Sequence, residues 1–94
     1  MLTNLYAIFD TASGIYDGPF KMQTDQTALR TFGDLVMNEE SAVGKHPEDF
    51  ALVRVGAWND NTAELVSLEK ETLQTGLEAV AARRNVTEIG EANA

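Results

Sequence analysis

The chain has 94 residues, 44 % hydrophobic and 23 % charged, which fits one globular domain and leaves no room for separate catalytic and recognition domains. Fifteen acids against seven Lys and Arg give a net charge of −8, so a uniformly DNA-attracting surface is excluded, while the lack of cysteine excludes disulfides, thiolate metal sites and cysteine nucleophiles. "MLTNLYAIFD" carries no basic residue ahead of its apolar stretch and no apolar run approaches ~18 residues, so neither a signal peptide nor a membrane span is expected.

Residues 3–9, "TNLYAIF", place apolar groups on both alternating faces, Leu5, Ala7 and Phe9 against Tyr6 and Ile8. That pattern predicts a central strand covered on both sides. "DTASGIYDG" supplies turn chemistry, and a second strand follows over 15–23, with Gly18-Pro19 predicting a bulge or an edge position because proline cannot donate to a ladder. The period then changes. Ala28, Phe32, Leu35 and Val36 form one stripe of an amphipathic helix, with Thr24 or Asp25 as N-cap and an end near Asn38. Gly33 in the middle of that helix costs about 1 kcal/mol relative to alanine, which predicts close packing against a strand.

After a loop, "FALVRVGAW" is the clearest strand, with Ala51, Val53 and Val55 on one face and Phe50, Leu52, Arg54 and Trp58 on the other. "NDNT" is a turn and "AELVSL" a last strand. The expected fold is therefore α+β, in the order β-β-α-β-β, one antiparallel-type sheet packed on one helix. Residues 1–68 form the expected domain. Residues 69–94 read as a helical extension, from the spacing of Leu73, Leu77 and Val80, helical over about 70–84 and then a loose tail. A chain this small buries a modest fraction of its surface, so a homo-oligomer is a candidate state.

The chemistry is sparse. "GKHPEDF", residues 44–50, holds the single histidine, and Lys45, His46, Pro47, Glu48 and Asp49 form its polar core. One histidine beside two acids is a thin metal set. The better reading is a capped turn, with Pro47 holding His46 extended and the turn aiming Phe50 into the core. No G-x-S-x-G, P-loop, G-x-G-x-x-G or H-E-x-x-H occurs, so no enzyme, metal or cofactor is expected. Single-strand binders pair a basic groove with stacking aromatics. The candidates here are Lys21, Arg30, Lys45 and Arg54 for phosphates, and Tyr6, Tyr16 and Trp58 for bases.

"YAIFDTASGIYDGPFKMQTDQTALRTFGDLV" followed by "GKHPEDFALVRVGAWND" resembles the small nonstructural protein, of open-reading-frame-five type, of gokushovirus-type microviruses. The likeness covers about residues 5–68. It implies a DNA-binding or replication-accessory role in a phage with a single-stranded-DNA genome, in the bacterial host cytoplasm. The expected function is non-enzymatic assistance of viral genome replication, or of the switch to single-strand synthesis and packaging, through single-stranded DNA. The alternative is a protein-interaction or self-associating module acting on the viral initiator or a host replication protein. The chain is not itself the initiator, which needs a histidine pair where this chain has one histidine.

Overall fold

A computed structural model describes the backbone of residues 1–93 and the side chains through residue 84. Strands β1 (Leu2–Asp10) and β2 (Ile15–Lys21) form a hairpin, followed by helix α1 (Asp25–Val36), a short helix α2 (Ala42–Lys45) and a 3₁₀ turn (Pro47–Asp49). Strands β3 (Phe50–Asn59) and β4 (Glu64–Thr75) form a second hairpin, and helix α3 (Gly76–Asn93) closes the chain. The four strands make one antiparallel sheet in the order β2-β1-β3-β4. This is the α+β arrangement expected from the sequence, with β1 central as predicted.

The helices pack on one face of the sheet. Tyr6, Ala28, Phe32, Val36, Val43, Leu52 and Ala79 form the buried cluster between the layers, and Tyr6 and Leu52 are fully enclosed. Burying a side chain such as Phe32 or Leu52 is worth about 1.5–3 kcal/mol. α1 starts where the sequence predicts: the Thr24 hydroxyl accepts from the Thr27 N–H at 3.0 Å, satisfying one of the open donors of the first turn. The loop before β3 is more ordered than expected, because the Ser41 hydroxyl caps α2 by accepting from the Gly44 N–H at 2.9 Å.

Several expectations are corrected. β1 has helices on one side only, although Ala7 on its other side is buried as well as Tyr6. β2 stops at Lys21, and the predicted bulge lies at the cis Gly18-Pro19 pair, where its register with β1 shifts. Gly33 meets Arg83 of α3 rather than a strand, since a Cβ there would lie 2.7 Å from the guanidinium. β4 runs to Thr75, across the expected boundary at residue 68, and α3 begins at Gly76 instead of near residue 70. The reason is that β4 is an edge strand. Its outer side meets water, so it tolerates "EKET", and two register shifts against β3 erase the period-two signal. α3 also passes the Arg84 at which a tail was expected, and the side chains beyond that point lie outside the described residues.

A single extra residue in β3 has the largest effect on the site. Leu5 pairs with Gly56 but Tyr6 pairs with Arg54, leaving Val55 without a partner on β1. Such a bulge moves every later side chain to the other face. Trp58 was expected beside Leu52 and Arg54. Its partner is instead Thr3, which alternates with Leu5, Ala7 and Phe9 on the face away from the helices.

Candidate nucleic-acid interface

On the helix side, Asp25 at the start of α1 gathers a polar network. Its carboxylate accepts from the Tyr6 hydroxyl at 2.5 Å, from the Asn4 amide at 3.5 Å and from the Arg54 guanidinium at 2.9 Å. The other guanidinium nitrogen of Arg54 donates to Glu71 on β4. Burial, then the hydrogen bond to Asp25, pushes the Tyr6 phenol above its ordinary ionisation range. The network ties three strands to one helix terminus. It also removes two expected candidates from a nucleic-acid site: Arg54 is engaged by two carboxylates, and Tyr6 is core.

The opposite face of the sheet has a different composition. Cross-strand partners share a face, so the register places Phe9 beside Tyr16, Leu5 beside Lys21, and Trp58 beside Thr3 and Leu65. The Phe9 and Tyr16 rings stack, with centroids 4.4 Å apart and planes inclined by 27°. The Lys70 ammonium lies 5.2 Å from the centre of the Tyr16 ring, a cation–π contact that joins the two edge strands across the sheet. Adjacent strands are ~4.8 Å apart, so this contact needs a sheet that curls toward its open side. Small residues line the trough beneath: Ala7, Ala51 and Val53 are buried there without a helix above them.

Charge divides between the two faces in the same way. Among the described residues, no position of the open face with a register partner carries a carboxylate, and Lys21 is one of them. On the helix side, the paired positions include Asp10, Asp17, Glu64 and Glu71. By that register the open face carries one lysine and three aromatics; Lys70, which has no register partner, reaches it through the Tyr16 ring, and Lys21 lies near Asp60 just past the end of β3. Trp58 and Phe9 are half-buried and Tyr16 is 41 % exposed, but the Tyr16 ring already carries Phe9 and Lys70. Among the described residues Trp58 is therefore the aromatic of this face with no ring contact and the one open to a stacking base. Thr3 to Phe9 spans about 20 Å at ~3.3 Å per strand residue, which separates Trp58 from the Phe9–Tyr16 pair.

Of the residues singled out in the sequence, the structure brings Lys21 and Trp58 together on this face, with Tyr16. It does not bring the others there. Arg30 is exposed on α1, and Lys45 ends α2 near the start of β3, about 30 Å of strand from the Trp58 end. Phe9 and Lys70 were missed. A hairpin centred on residues 11–14 could have paired Phe9 with Tyr16, but Lys70 had no local signal because its position depends on the β4 bulges.

The "HPED" loop is a turn, as expected, with half-buried Phe50 packing against the core after it, but no side chain caps it and His46 is not extended, its ψ being 60°. His46 Nδ1 lies 3.7 Å from a Glu48 oxygen, and ligand atoms of His46, Glu48 and Asp49 fall within 4.8 Å of one another. These three could hold a cation, although His46 and Glu48 are exposed and exposed acidic groups commonly carry none.

The molecule is thus a one-sided α+β protein: a four-stranded antiparallel sheet with helices on one face and an aromatic, lysine-bearing face left open. The model of the Phage ORF5 protein family matches residues 3–79, and the chain belongs to that family, which makes it a phage protein. No curated protein and no solved structure matches it. Among the described residues, no helix is long and apolar enough to cross a membrane.

Proposed function

We propose that this phage protein binds single-stranded DNA on its open sheet face, as a non-enzymatic accessory factor in the bacterial host cytoplasm. It would assist viral genome replication, or the switch to single-strand synthesis and packaging. The observation carrying this reading is the charge division between the faces: the register-paired positions of the open face include Phe9, Tyr16, Trp58 and Lys21 and no carboxylate, and Lys70 reaches the Tyr16 ring from β4. Bases stack on ring faces, at about 1–3 kcal/mol each, and lysines take the phosphates. The −8 total sets the remaining surface against long-range attraction, so affinity resides in the face itself.

The single tryptophan makes the test direct. Titrating a short oligothymidylate into the protein at low salt should quench Trp58 emission with micromolar affinity, and the binding should weaken as salt rises. Lys21→Glu and Lys70→Glu should each weaken it, whereas Lys45→Glu and Arg30→Glu should leave it unchanged. Unchanged Trp58 emission with no binding at low salt sinks the DNA reading. A second reading then takes over, a module that covers the same face with the viral initiator, a host replication protein or a second copy. Leu65 favours it, being 71 % exposed and paired with Trp58.

A further inference from the structure

On the helix side, α1 covers the Phe20 end of β2 but leaves the hairpin end open. Between that end and the α1–α2 connection lies a groove of about 320 Å³, floored by Ile8, Val43 and Phe50 and walled by Ile15, with Asp10 and Asp17 on its rim. Ile15 is 63 % exposed although its neighbours in the groove are apolar. Among the described residues no hydrogen bond or ion pair engages the Asp17 carboxylate, and Asp10 uses one oxygen to accept from the Ala12 N–H at 3.0 Å. No basic residue lines the groove.

We infer that this groove docks a segment of a partner protein that presents one leucine- or phenylalanine-sized side chain flanked by arginine or lysine. The apolar floor supplies an anchor pocket and the two aspartates supply charge complementarity to the flanks. Other occupants fit worse. A nucleic acid would bring phosphates onto an acidic rim. A second copy would bring a net charge of −8 against the same rim. Drug-sized ligands are bound by pockets of about 300–1,000 Å³ that enclose most of their surface, and this groove is at the lower end and open along one side. The inference does not rest on the DNA reading, because the groove and the open face lie on opposite sides of the sheet.

The test uses the full chain labelled with nitrogen-15 and an acetylated decapeptide carrying one phenylalanine between arginines in a Gly/Ser background. A twin peptide replaces the phenylalanine with serine. The expected result is saturable amide shifts confined to Ile8, Ile15, Asp17, Val43 and Phe50, with the twin at least about tenfold weaker. Ile15→Ser and Asp17→Lys lie at exposed positions, so they should melt like the parent and each weaken binding about tenfold, a change equivalent to ~1.4 kcal/mol. Four outcomes overturn the inference. They are no shifts, equal binding of the twin, shifts spread over Glu39, Glu40 and Glu48, or groove shifts that appear on dilution of the protein alone and so mark a second copy.

Discussion

Tyr6 does two jobs with one side chain: its ring fills the core and its hydroxyl holds the Asp25 carboxylate. Tyr6→Phe keeps the ring and leaves Arg54 on Asp25, so it should cost about 1–2 kcal/mol in urea unfolding. The same residue predicts an alkaline limb. Its folded ionisation midpoint is raised above the ordinary 10.0. Its contribution is therefore complete below that pH and is lost as pH climbs through the folded value. Stability measured across pH 9–12 should fall on the alkaline side, and less steeply in Tyr6→Phe. A different residue offers a gain. Ala63 in the β3–β4 turn sits at a φ of 62°, a left-handed conformation that costs an alanine about 1–2 kcal/mol. After the added chain entropy of glycine, Ala63→Gly should stabilise by about 0.5 kcal/mol and raise the melting temperature.

At the scale of elements, the "KHPED" segment is where helix, turn and strand meet. Gly76 opens α3 with its backbone against the turn, and a Cβ there would lie 1.9 Å from the Pro47 carbonyl oxygen. Backbone cannot retreat as a flexible side chain can. Gly76→Ala should cost about 1–3 kcal/mol or shift the turn, seen as a lower thermal midpoint. His46 is exposed, so His46→Ala should stay within about 0.5 kcal/mol of the parent. Pro47→Gly frees the unfolded chain and should cost about 0.4–1 kcal/mol. A larger loss from His46→Ala than from Pro47→Gly would contradict the turn reading of this segment.

The whole molecule is a sheet with two unlike sides, and its predictions concern their independence. DNA binding on the open face and peptide binding in the groove should coexist. Saturating the groove with the arginine–phenylalanine peptide should leave the Trp58 titration unchanged. Competition between the two would mean that they share a surface, or that the peptide acts only by neutralising the acidic chain. Arg54→Met gives a second global check. It removes a residue that draws β3, β4 and α1 together, so it should lower stability while leaving the open-face lysines in place.

Elements formed from neighbouring residues were legible in the sequence. The alternation in β1, the stripe and Thr24 cap of α1, the Gly18-Pro19 bulge and the Pro47 turn all follow from contacts within a few residues. What depended on pairing between distant segments was not. The unmatched Val55 moves Trp58 to the face shared with Lys21, and in "LVRVGAW" only Gly56, a residue type common at bulges, marks the extra residue. "EKETLQT" becomes a strand because β3 offers it an edge, against its own helical spacing. Arg54 leaves the nucleic-acid candidates because Asp25 and Glu71 reach it from other elements. The sequence by itself determined which segments are strands and helices over most of the chain, since local sterics, capping and period settle those. Tertiary structure alone decided which side chains share a face, because a bulge of one residue inverts that assignment at little local cost.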